Sequence, residues 1–150
     1  MGTDRTLRCG VIGVGRMGRH HARVYAQLSG AEFIGVVDHD HDRSNGVVEE
    51  WGGKSFSTVD ELLDEGVEAV TIATPTLYHL EVAAPLLERG VACLIEKPLA
   101  PTTEIAAAIA DAAEDGGAIL QVGHVVRYDP VMRAIASIEN LRPRFVEMTR

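Results

Sequence analysis

Short apolar runs alternate along the chain with longer stretches whose apolar residues recur at helical spacing. Leu7, Cys9, Val11 and Ile12 make the first run, which stops at Gly13 and reads as a buried strand. Met17, Ala22, Val24, Ala26 and Leu28 then predict a helix that begins inside the glycine segment and is closed by Gly30. Residues 32–37 supply a second strand, 42–51 a helix ended by Gly52-Gly53, and 54–56 a brief third strand. Thr58 and Glu61 have capping-box spacing, which starts a short helix closed by Gly66. β-branched residues crowd into 67–73 and predict a fourth strand. Leu77, Leu80, Val82, Ala83, Leu86 and Leu87 form a helix that stops at Arg89-Gly90.

Residues 91–95 read as strand five, 102–114 as an alanine-rich helix closed by Gly116-Gly117, and 118–122 as strand six. Asp129 caps a further helix that starts at Pro130 and runs to about Glu139, and 144–149 alternates in polarity like a strand with one dry face. Residues 1–6 read as a disordered lead-in. Strands alternating with helices imply an α/β fold: a doubly wound, Rossmann-type parallel sheet with helices on both faces, built as one domain over residues 1–150.

Composition narrows the class. With 46% hydrophobic residues the chain can bury a core without disulfides, so Cys9 and Cys93, each inside a strand, read as reduced thiols. The six histidines form no metal motif, and no metal is expected. A net charge of −8 without any basic run excludes nucleic acid as a natural partner. No apolar stretch reaches the roughly 18 to 20 residues that cross a bilayer, and the N-terminus lacks a signal-peptide core, so the expected location is the cytoplasm.

The chemistry begins at Gly13, Gly15 and Gly18, spaced G-x-G-x-x-G at a strand-to-helix junction. Gly13 allows a tight turn, Gly15 lets the backbone approach a pyrophosphate, and Gly18 lets helix and strand pack closely. With Val14, Arg16 and Met17 they make the expected phosphate loop, backed by the N–H groups and dipole of the following helix. Asp38 ends strand two, 20 residues past Gly18, where a carboxylate accepts hydrogen bonds from both ribose hydroxyls of an adenosine and repels a 2′-phosphate. The expected cofactor is therefore NAD rather than NADP. Other strand ends carry Thr74-Pro75, Glu96-Lys97-Pro98 and Gly123-His124, which gathers polar and special residues at the carboxyl rim, where such sheets bind ligands.

The segments GVGRMGRHH, ATPTLYHLEVAAPLLERG and LIEKP together resemble the Gfo/Idh/MocA oxidoreductases. The resemblance implies a two-domain NAD(P)-dependent enzyme that oxidises a hydroxyl of a sugar, polyol or nucleotide-sugar. It also implies that Lys97, in the Glu-Lys-Pro motif, lies near the nicotinamide and the substrate oxygen as the catalytic residue, and that the Lys97–Pro98 bond is cis. An ammonium there stabilises developing oxyanion charge or, once neutral, accepts the hydroxyl proton. Glu96 either orients Lys97 or contacts the cofactor, against the plainer reading of a surface ion pair. Thr74 and Pro75 line the nicotinamide side. His79 matches a position beside the cofactor, the plainer alternative being a histidine on the helix surface. The stretch from Gly123 to Pro130 is similar to that of the UDP-N-acetylhexosamine 3-dehydrogenase branch, which makes His124 and Arg127 substrate candidates. Val126 and Asp129 depart from that branch's pattern.

The family's second α/β domain has no counterpart in these 150 residues, so the chain is expected to bind NAD(H) and to turn over little substrate alone. Residues 144–150 would begin the connection to that domain, and apolar surface including Val146 and Met148 predicts self-association into a homo-oligomer. Two other readings stand beside the dehydrogenase: a non-catalytic dinucleotide-sensing module, and a CoA-binding Rossmann domain, which Asp38 disfavours by repelling a ribose 3′-phosphate.

Overall fold

The computed structural model describes residues 5–140, 142, 145 and 147. Strands and helices alternate as β1 (Leu7–Ile12), α1 (Arg16–Gln27), β2 (Ala31–Val37), α2 (His41–Trp51), β3 (Lys54–Phe56) and α3 (Val59–Asp64). They continue as β4 (Ala69–Ile72), α4 (His79–Leu87), β5 (Ala92–Ile95), α5 (Thr103–Asp115), β6 (Leu120–Val122) and α6 (Pro130–Ala136). Short 3₁₀ turns occupy Thr76–Tyr78, ahead of α4, and Val125–Tyr128, ahead of α6.

The six strands form one sheet in the order β3-β2-β1-β4-β5-β6, and every pairing is parallel. Chain order reverses between β1 and β4, the switch point at which open sheets of this kind take ligands beyond their carboxyl ends. Alternation along each strand sends its side chains to two separate cores. On one face Val11, Val14, Val36, Ala22 of α1 and Val47 of α2 pack together. On the other Ile12, Val37, Ile72 and Ile95 meet Leu62 of α3, Leu86 and Leu87 of α4 and Ile109 of α5.

Helix starts follow the capping residues. Asp40, Thr58 and Thr102 accept hydrogen bonds from the backbone N–H groups of Arg43, Glu61 and Ile105 at 3.1, 3.2 and 3.4 Å. Glu61 returns the contact by accepting from Ser57 N at 2.8 Å, one residue ahead of the cap. Asp129 accepts from Val131 N at 2.8 Å and Pro130 fills the first position of α6.

Several expected elements are shorter in the structure. Strand four covers Ala69–Ile72 rather than 67–73, strand six starts at Leu120 rather than Ala118, and α6 ends at Ala136 rather than near Glu139. The helix expected from Leu77 opens with the 3₁₀ turn and becomes α-helical only at His79. Of the expected lead-in, residues 1–4 lie outside the described residues, whereas Arg5 already pairs with Glu68. The strand expected over 144–149, together with Val146 and Met148, falls outside the described residues apart from 145 and 147, neither of which is in a strand.

Candidate functional site

The three loop glycines have three different environments. Gly13 has φ +82°, and a Cβ there would lie 2.8 Å from Thr74 N. A Cβ on Gly18 would lie 1.9 Å from Gly13 O, so the first turn of α1 is seated on the loop that precedes it. A Cβ on Gly15 would meet nothing within 4 Å, which leaves that stretch of backbone open to a ligand. No side chain caps α1, so its N-terminal N–H groups face outward beside exposed Arg16 and Met17.

Asp38 closes the loop from the neighbouring strand end. Its carboxylate is buried, one oxygen accepting from Val14 N at 2.7 Å and the other from Asp40 N at 2.9 Å. His39 Nδ1 and Arg43 Nη1 approach that second oxygen at 3.2 and 3.5 Å. The backbone N–H of Arg43 holds the Asp40 carboxyl below the usual carboxylate range, with the Arg43 guanidinium and His39 adding to the effect.

At the end of β4, Thr74 presents a buried Oγ1 that has no hydrogen-bond partner among the described residues. Pro75 beside it is exposed. His79 is not on the helix surface: it is 1% exposed, with Nε2 3.0 Å from Thr74 O and Nδ1 3.0 Å from Leu99 O. It ties the end of β4 to the segment that follows Pro98, so its ring braces the rim rather than lying open on it.

At the end of β5, Glu96 is buried, not part of a surface ion pair. One carboxylate oxygen accepts from Lys97 N at 3.2 Å, and the other lies 2.9 Å from Nε2 of His21 on α1. The Lys97–Pro98 bond is cis. The side chain of Lys97 is exposed, and among the described residues its ammonium makes no hydrogen bond or ion pair. His21 was not singled out from the sequence, although a signal existed. Gly18 and Ala22 centre the buried face of α1, which puts His21 and Tyr25 at that face's border and His20 outside it.

Gly13 to Gly18, Asp38, Thr74, His79, Glu96 and Lys97 thus gather at one rim, where β1, β2, β4 and β5 end. His124 and Arg127 follow β6, the next strand beyond β5. They are exposed and, with Tyr128 and Arg133, wall an open cleft of about 560 Å³ along β6 in which Lys97 takes no part. Both thiols are buried, and burial pushes Cys9 up and Cys93 up to about 12. Among the described residues no group of histidines, cysteines and carboxylates is arranged to hold a metal ion, and no helix is long and apolar enough to cross a membrane.

The chain is similar in sequence and fold to several known proteins. The UDP-N-acetylglucosamine 3-dehydrogenase of Acidithiobacillus ferrooxidans is 40% identical over 144 residues, 96% of this chain and 45% of that protein. Its crystal structure superposes with a TM-score of 0.85, covering 93% of this chain and 45% of the other. An inositol 2-dehydrogenase of Arthrobacter is 40% identical over 137 residues, 89% of this chain and 41% of that one. GenD2 of gentamicin A biosynthesis, solved in complex with NAD, is 33% identical with a TM-score of 0.82, over 87% of this chain and 38% of that one. The chain therefore spans less than half the length of these relatives. The family described as oxidoreductases with an NAD-binding Rossmann fold matches residues 7–124. By that match over most of its length, this chain belongs to the Gfo/Idh/MocA oxidoreductase family, as an NAD-binding Rossmann domain.

Proposed function

We propose that the chain is the cofactor-binding part of a dehydrogenase that moves hydride between nicotinamide and a hydroxyl-bearing carbon of a sugar, polyol or nucleotide-sugar. The observation that carries this reading is the orphaned Thr74 Oγ1, buried without a partner at the same rim as the open backbone of Gly15. A buried hydroxyl left unpaired costs about 1–3 kcal/mol, and a ligand group arriving there removes that cost.

The residues fit a dinucleotide. The N–H groups from Gly15 onward, at the α1 N-terminus, hold its diphosphate, Asp38 its adenosine ribose, and Thr74, Pro75 and Glu96 line the nicotinamide end. His79 borders that end by fixing the backbone of Thr74 and Leu99. The bound nicotinamide supplies the hydride acceptor or donor. Lys97 extends its side chain into the solvent-open rim, where the ammonium stabilises negative charge on the substrate oxygen or, once its own proton has passed to solvent, the neutral amine accepts the hydroxyl proton. His124 and Arg127 contact substrate. A nucleotide-sugar suits the two arginines of their cleft, and the 40% identical relative acts on UDP-N-acetylglucosamine. The cytoplasm, where dinucleotides are abundant, is the compartment that suits this reading, and self-association the expected state.

Titration calorimetry with NAD(H), NADP(H) and CoA tests the proposal. The expected order is NAD(H) tighter than NADP(H), with CoA not bound. Saturable CoA binding without NAD(H) binding would overturn it. NAD(H) binding with no hydride transfer in the assembled, full-length enzyme would favour a sensing role.

A further inference from the structure

We propose that His21 is a positioning residue which, through Glu96, fixes the Lys97 turn at the nicotinamide end of the site. The inference rests on the cofactor reading above and extends it to a residue far from the glycine loop in its role and 76 positions from Lys97 in sequence.

Lys97 has few other means of orientation. It is followed by proline, its side chain is exposed, and its backbone N–H is held by the carboxylate of the residue before it, at 3.2 Å. Whatever sets the Glu96 side chain therefore sets the Lys97 backbone. Two contacts do so. On one side the carboxylate lies against the backbone of Gly123, in space that a side chain there would need, since a Cβ at 123 would fall 3.1 Å from Glu96 Oε2. His21 holds the other side, its Nε2 2.9 Å from Glu96 Oε1, with the carboxylate side chain 9% exposed and the imidazole 19%. A carboxylate shielded from water to that extent needs compensating donors, and the imidazole is the side-chain partner it has here.

The arrangement spans the sheet. His21 and Tyr25, four residues apart on α1, both reach across β1 to the opposite half: Tyr25 OH to Thr71 Oγ1 of β4 at 2.8 Å, and His21 to the end of β5. The helix whose N-terminus takes the diphosphate is thereby tied to the turn that carries Lys97. A hydrogen-bonded pair has directional requirements that an apolar contact lacks, so it specifies the Glu96 rotamer and with it the position of Lys97. Tyr25 makes a comparable contact with no path to Lys97 and serves as the internal control.

ADP-ribose, which lacks the nicotinamide ring, separates the two ends of the site. The experiment measures NADH and ADP-ribose affinities by calorimetry for the wild type, His21→Ala, His21→Gln, Glu96→Gln and Tyr25→Phe, each with its melting temperature. His21→Ala is expected to weaken NADH about tenfold while changing ADP-ribose less than twofold. His21→Gln, which keeps a donor, should restore most of the NADH affinity. Glu96→Gln should show the same selective loss, which keeps the test open if His21→Ala fails to fold. Tyr25→Phe should lower the melting temperature and leave the ratio of the two affinities unchanged. Equal weakening of both ligands by His21→Ala, or no change in either, would overturn the inference while leaving the cofactor reading intact. Wild-type protein that binds neither ligand would overturn both.

Discussion

Gly15 and Gly18 lie three residues apart in one motif, yet the structure assigns them different failures. An alanine at Gly18 drives its methyl into Gly13 O, so Gly18→Ala is expected to lower the melting temperature and to lose NAD binding together. Gly15 has φ −64°, a value alanine accepts, and open space around it. Gly15→Ala should therefore leave the melting temperature near wild type while weakening NAD more than tenfold, because the methyl occupies the diphosphate's approach. A thermal melt beside a calorimetric titration of each variant checks the pair. Asp38→Ala should weaken NAD and relax the rejection of NADP, and unchanged selectivity would remove Asp38 from the site. The glycine turn was legible because its spacing falls at a strand-to-helix junction, and Asp38 because it ends the next apolar run. The burial of His79 and the Glu96–His21 contact were not. Their partners, Leu99 O and a side chain 75 positions away, are set by strand order, which no local period encodes.

At the scale of elements, periodicity located every helix and strand among the described residues and misjudged mainly their ends. Val67 and Ala118 open apolar runs, but the strand ladders begin beyond them, so each strand starts two residues later than its run. Pro75 lies just ahead of the turn that delays α4. Within β5, burial holds Cys93 protonated up to about pH 12, well above the range of an unfolded thiol. Because the folded pKa is the raised one, no penalty arises below about pH 9. Stability is lost as pH climbs from about 9 towards 12, where only the unfolded chain releases the proton. Melting curves over that range should show an alkaline decline that is shallower in Cys93→Ala. A thiol reagent at pH 8 should leave Cys93 unlabelled until denaturant opens the sheet.

For the whole molecule, the segment after β6 stands apart from the two cores. Val125, Val126, Tyr128, Val131, Ile135 and Ile138 are all exposed, an unusual density of open apolar side chains for one short stretch of chain. Concentration-dependent self-association is the expected result, read by light scattering. A Val131→Glu, Ile135→Glu double variant should suppress it without altering NAD affinity. Saturation with NAD at a hundredfold excess over its Kd should add about 2.7 kcal/mol, or a rise of roughly 5–10 °C in melting temperature for a domain of this size.

The pairing of β1 with β4 has one more effect. Ala73 N donates to Ile12 O at 2.8 Å across the junction between the two windings of the sheet, and Gly13 N to Val37 O at 2.8 Å on the β2 side of it, so the junction closes directly beneath the glycine loop. A dinucleotide laid over that junction bolts one winding to the other. Amide hydrogen exchange at Gly13 and Ala73 should slow on NAD addition more than exchange at the outer strands β3 and β6, which the bolt does not reach.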